Sequence, residues 1–189
     1  TPDDAIALRE AVEAGEIRKA VVAGGGFIGL EVAENLAAKG VKTTVIDFAP
    51  HVLPNFLDPE LSEYVENRMA EAGIMPVTGV ALEGVEGDGR VEKVLTSKRG
   101  YKADALVLAI GIRPNTAFLE GAGIEMFKGT ILTDQYLRTN LPDIYAAGDC
   151  AMVANRQTGK PAWSPMGSTA NIAGRILAGN VAGKETAYP

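Results

Sequence analysis

Between Lys19 and Gly40 an apolar run, Lys19-Ala-Val-Val-Ala23, meets Gly24-Gly-Gly-Phe-Ile-Gly29, and from Phe27 to Lys39 the residues follow helical spacing. A short apolar run bounded by glycines reads as a buried strand, and a glycine just past the last periodic residue stops a helix. A strand that turns into a helix on three glycines leaves few folds open. Gly24 permits the tight turn, Gly26 lets a phosphate approach the backbone, and Gly29 lets the helix pack close to the strand. The first N–H groups of such a helix are unpaired and, with the helix dipole, favour an anion. A lone Gly-x-Gly-x-x-Gly is weak evidence, but here it has the preceding strand and following helix that it requires. The turn from Gly24 to Gly29, with Phe27 and Ile28 inside it, therefore predicts a dinucleotide site.

The next strand-like run, Val41 to Asp47, ends on an acid. A carboxylate there accepts hydrogen bonds from the adenosine ribose hydroxyls and repels a 2′-phosphate. Residues 48–53, Phe-Ala-Pro-His-Val-Leu, bring no Arg or Lys to offset that repulsion. NADH is thus expected over NADPH. Phe27 and Glu31 are four apart and share a helix face. They could shield a ring and bond a carboxamide. On spacing alone, a core aromatic and a first-turn acid beside the dipole is the preferred account.

The remaining chain reads as an alternation of strands and helices. Helices are expected over residues 3–14, from Asp58-Pro59-Glu60 to about Ala72, and from Gly167 to Ala182. Val77 to Glu86 and Arg90 to Ser97 are strand-like around Gly87-Asp88-Gly89, a hairpin signal. Ala103 to Ile110 is apolar enough for a central strand, and short extended pieces are expected around Ile131 and Tyr145. Strands alternating with helices imply a parallel sheet with right-handed crossovers. The expected fold is a Rossmann-like, doubly wound α/β domain carrying a β-hairpin or meander insert, with a boundary in the Pro/Gly-rich region 113–125.

Composition narrows the function classes. The net charge is −6 and no basic run exists to follow a phosphate backbone, so nucleic-acid binding is not expected. No apolar stretch reaches about 18 residues, the length needed to span a membrane. Cys150 is the single cysteine, which leaves no internal disulfide and no zinc cluster; no metal site is expected, and a cytoplasmic setting fits. Cys150 is expected to be a small buried residue, His51 to have a surface or packing role, and Trp163 to be a packing anchor. The chain opens at Thr1-Pro2 without a methionine, as though cut from something longer.

Three motifs in order, Gly24-Gly-Gly-Phe-Ile-Gly-Leu-Glu31, Leu108-Ala-Ile-Gly-Ile-Arg-Pro-Asn115 and Ile144-Tyr-Ala-Ala-Gly-Asp-Cys150, carry a resemblance to the pyridine nucleotide-disulfide oxidoreductases, FAD enzymes with two dinucleotide-binding domains. Gly87-Asp-Gly-Arg-Val91 and Gly129-Thr-Ile-Leu-Thr-Asp134 resemble the NADH peroxidase, NADH oxidase and coenzyme A disulfide reductase branch. The resemblance implies that residues 1–115 are the NADH domain and residues 116–189 a returning, incomplete segment of the FAD domain. It implies that Asp149 binds the FAD ribityl chain and that Met166, Gly167 and Ser168 lie near the isoalloxazine. Ile110 and Gly111 would pass the adenine side of NADH, and Phe56 would pack on the nicotinamide nucleotide. Phe27 becomes a flavin gate and Glu31 a nicotinamide-orienting acid, which reverses the preference drawn from spacing.

In such a parent enzyme, hydride passes from NADH to flavin and on to a disulfide, peroxide or oxygen. The resemblance places the redox cysteine upstream of this chain and the dimer-forming domain downstream of it, so no catalytic residue is expected here beyond the gating and orienting pair. The implied partners are a small-molecule or thiol/disulfide substrate and, for the parent, a second copy of itself. Two other readings stand beside this one. A ferredoxin- or rubredoxin-type flavin reductase lacks the redox cysteine, and a free NAD-binding module would have no use for the Asp149 motif.

Overall fold

The computed structural model describes residues 1–189 and divides into two compact units, Thr1–Gly111 and Ile112–Pro189. In the first, a parallel sheet of four strands is built around β1 (Lys19–Ala23), flanked by β2 (Lys42–Ile46) and β7 (Ala105–Leu108), with β3 (Ile74–Val77) outside β2. β1 pairs in register with both neighbours, Val22 opposite Val45 on one side and Val107 on the other.

Alternation along β1 sets the layers, because successive side chains of a strand point to opposite faces. Ala20 and Val22 pack with Ala33 and Leu36 of α2 (Phe27–Ala38), and with Met69 of α3 (Pro59–Glu71). Leu8 and Val12 of α1 (Pro2–Glu13) join the same cluster. Val21 and Ala23 face the other way. They meet Val94 and Tyr101 of an antiparallel meander formed by β4 (Leu82–Glu86), β5 (Lys93–Thr96) and β6 (Gly100–Lys102). Both faces of the sheet are therefore covered, one by helices and one by the meander, and all of Ala20 to Ala23 is buried.

Two expectations need correction. Val77 to Glu86 is not one strand. Val77 ends β3, the backbone turns through Gly79 at φ +63°, and β4 begins at Leu82. Pro76 inside β3 is tolerated because β3 is an edge strand with a single partner. Nor is the Ala103–Ile110 run central. Its strand, β7, lies at the other edge of the sheet. Val107 and Ala109 pack toward the helices and Leu106 toward the meander, so the run is apolar because both faces are covered, which says nothing about its lateral edge.

In the second unit, β8 (Met126–Phe127), β9 (Thr130–Leu132), β10 (Ala151–Ala154) and β11 (Pro161–Ala162) form a small mixed sheet. Ile131, Ala146 and Ala151 are its core. Tyr145 pairs with Arg138 in an isolated bridge. The unit closes with α4 (Gly167–Val181). Near its end the buried Asn180 donates to the carbonyls of Tyr136 and Thr186 and accepts from the Thr186 N–H, which ties the following tail to the 134–138 loop. No helix in the chain is long and apolar enough to cross a membrane.

Candidate functional site

The glycine turn is shaped by close approach. Gly24 has φ +114°, and a Cβ there would collide with the carbonyl of Ala109; one on Gly29 would collide with the carbonyl of Gly24. A Cβ on Gly26 would meet no protein atom within 4 Å. The first two glycines are thus required by the fold, while the space at Gly26 is open. Gly26 also starts α2 with no side-chain cap, so the leading N–H groups of the helix are left for a ligand.

Asp47 follows β2 and is half-buried. Its Oδ2 accepts from the Gly25 N–H at 2.5 Å and its Oδ1 from the Ala49 N–H at 2.7 Å. One carboxylate therefore fastens the glycine turn to the loop after β2. A carboxylate has about four acceptor positions, so two backbone bonds leave capacity for ligand hydroxyls.

Beside the turn lies a groove of about 430 Å³ lined by Gly24, Gly26, Asp47, Phe56, Ile110 and Gly111 among others, none of them Lys or Arg. Six residues chosen from separate parts of the sequence thus share one surface. Phe27 lines the neighbouring groove between α2 and α3 instead, its ring packed against that of Phe56 with centroids 4.6 Å apart. Phe27 is half-exposed, not the core aromatic that spacing alone favours. Ile28 is 61% exposed on the first turn of α2. Glu31 does not line the Asp47 groove either; it borders two others, between α1 and α2 and between α2 and α3.

Leu53 was not singled out by sequence. It is buried, holds φ +51°, lines the groove and donates its N–H to the Gly25 carbonyl at 2.9 Å. A left-handed Leu costs about 1 kcal/mol or more and persists only where its surroundings impose it; no pattern of residue types announces it. His51, in the same loop, has its Nδ1 buried 3.4 Å from Glu66 Oε1. That oxygen accepts from the Val52 N–H, so the loop is also held to α3.

In the second unit, Asp149 lies exposed on the turn before β10. The indole N–H of Trp163 donates to its carbonyl at 2.8 Å, which makes Trp163 an anchor through a polar bond. Met166 is the N-cap residue of α4, and Gly167 and Ser168 are its first residues, again with no side-chain cap. Cys150 directs its thiol at the Ala147 carbonyl, 3.6 Å away, and is only partly buried.

Two dinucleotide-type features, an open glycine turn with an acid beside it and an uncapped helix start near an exposed Asp, therefore occur in one chain. The chain is 35% identical over 188 residues to an NADH oxidase of Methanocaldococcus jannaschii, covering all of this chain and 42% of that protein. A NAD-dependent persulfide reductase from A. fulgidus matches with a TM-score of 0.93 at 38% identity, over all of this chain and 35% of that one. A water-forming NADH oxidase from Lactobacillus brevis, solved with NADH bound, gives 0.89 at 32% identity over 97% of this chain and 40% of its own. The chain spans less than half the length of each of these relatives. The family described as pyridine nucleotide-disulphide oxidoreductase matches residues 1–171, and the chain belongs to it.

Proposed function

We propose that this chain supplies the NADH site, and part of the FAD site, of an oxidoreductase that moves reducing equivalents from NADH to a small-molecule or thiol/disulfide acceptor. The observation that carries the reading is the convergence of Gly24, Gly26, Asp47, Phe56, Ile110 and Gly111 on one groove. The dinucleotide's diphosphate belongs at the uncapped start of α2, over Gly26, where no Cβ intervenes. Asp47 accepts from the adenosine ribose hydroxyls with its remaining lone pairs. Its charge, with no cation in the groove wall, selects against a 2′-phosphate. Phe27 shields the reacting end, and Glu31, one helical turn on, orients the nicotinamide carboxamide.

The second unit fits a flavin in kind. Asp149 offers an exposed carboxylate for ribityl hydroxyls, on a turn braced by Trp163. Met166, Gly167 and Ser168 offer uncapped N–H groups to an electron-rich ring edge. The flavin, when bound, supplies the conversion between hydride transfer and electron transfer; the residues of this chain bind and orient. The relatives are named both as oxidases and as a persulfide reductase, so the acceptor class proposed is oxygen, peroxide or a sulfur–sulfur bond.

Calorimetry tests the reading. NADH is expected to bind more tightly than NADPH, and Asp47→Ala to weaken NADH by roughly 1–3 kcal/mol through lost charged hydrogen bonds. Equal affinities for the two coenzymes would refute the role given to Asp47.

A further inference from the structure

Phe48 is the most exposed large apolar side chain of the chain, at 81%, and yet the backbone on both sides of it is held by hydrogen bonds. On its N-terminal side, the Asp47 N–H donates to the Val77 carbonyl at 3.0 Å and the Asp47 carbonyl accepts from Val80 at 2.9 Å. On its C-terminal side, the Ala49 N–H is bound by the Asp47 carboxylate and the Ala49 carbonyl accepts from the Gly79 N–H at 2.8 Å. Both neighbours are thus pinned to the 77–80 turn, and the ring between them stands in solvent. The bonds fix the backbone of Phe48 beside the groove, so the ring moves only by rotation about its own side-chain torsions.

The ring also lines the groove, whose adjoining wall is apolar: Val80, Leu82 and Ile110. It directly follows Asp47, the residue assigned to the adenosine ribose. A flat apolar group within one residue of that ribose contact matches the base attached to the same sugar. Phe56, packed against Phe27, is the groove's other aromatic side chain and is assigned to the nicotinamide end. Resting on the NADH reading above, we propose that Phe48 is a preformed stacking platform for the adenine ring, and that it determines how strongly the adenosine half of the dinucleotide is held.

The test separates the two halves of the ligand. Binding of 5′-AMP, nicotinamide mononucleotide and NADH is measured by calorimetry on the chain and on Phe48→Ala and Phe48→Tyr. Because stacking of one base on an aromatic ring contributes on the order of 1–3 kcal/mol, Phe48→Ala is expected to weaken AMP and NADH about tenfold. Phe48→Tyr should keep both, and nicotinamide mononucleotide should be unaffected. In Phe48→Trp, AMP should quench the added indole emission while nicotinamide mononucleotide leaves it unchanged. The exposed ring makes little of the core, so the melting temperature of Phe48→Ala should stay at that of the parent chain, and a loss of binding would not trace to unfolding. AMP affinity within twofold of the parent in Phe48→Ala overturns the platform alone, as does an effect confined to nicotinamide mononucleotide. Failure of the unaltered chain to bind either AMP or NADH overturns the underlying NADH reading and the platform with it.

Discussion

Gly26 and Gly29 look equivalent as letters in a motif, but the structure gives them different tasks. Gly29 faces the carbonyl of Gly24, while Gly26, at φ −83°, faces open space. Gly29→Ala is therefore expected to destabilise the fold by roughly 1–3 kcal/mol, the usual range for overpacking. Gly26→Ala should leave stability within about 0.5 kcal/mol and cut NADH affinity at least tenfold. Thermal unfolding and calorimetry on the two variants check this; a matching loss of stability in both would show that the open space at Gly26 is not reserved for a ligand. The glycines and Asp47 were legible in the sequence because each is fixed by a local requirement: a tight turn, a close packing, an acid at the end of a strand. The backbone bonds that Asp47 makes to Gly25 and Ala49, and the left-handed Leu53, were not. They depend on how the 47–57 loop returns to the turn, and residue types do not encode that path.

At the level of elements, the strand–helix alternation was readable from apolar period. The errors fell where period carries no information. Pro76 marks Ile74-Met-Pro-Val77 as an edge strand but does not locate the turn at Gly79 that ends it, and the apolar β7 run reports two covered faces without locating the edge. A tie between elements was also missed. Asp104, just before β7, accepts from the N–H groups of Arg18 and Lys19 at the start of β1, each at 2.9 Å. The Arg18 bond first, and the Lys19 bond and charge after it, hold the exposed carboxyl below the usual 3.8 against the opposing effect of desolvation. A depressed carboxyl stabilises the fold fully above its unfolded value and loses that contribution as pH falls through the lower folded value. Asp104→Asn should therefore melt below the parent chain at pH 7, and the gap should narrow as pH drops beneath about 4. A gap independent of pH would mean that charge plays no part in this tie.

Across the whole molecule, the resemblance implies an NADH domain over residues 1–115 and a FAD-domain segment over residues 116–189. The structure divides the chain between Gly111 and Ile112, and every residue of the groove proposed for NADH lies in the first part. The groove is assembled from ends that are distant in the chain. The Ala109 N–H donates to the Ala23 carbonyl at 2.7 Å, and Ala109 is the neighbour that presses on Gly24. Residues 1–77 contain the glycine turn, Asp47 and three of the four parallel strands, yet one wall, at Ala109, Ile110 and Gly111, arrives only with β7. Contacts between residues far apart in sequence form slowly, because loop closure must precede their reward. Nucleotide binding should therefore be among the last properties to return on refolding from denaturant. Far-ultraviolet circular dichroism is expected to regain its helical signal before NADH fluorescence registers a bound state, and the reverse order would show that the first three strands suffice to hold the ligand. The turn that reads most clearly in the sequence is expected to form before the final strand of its sheet docks, and to hold a nucleotide only afterwards.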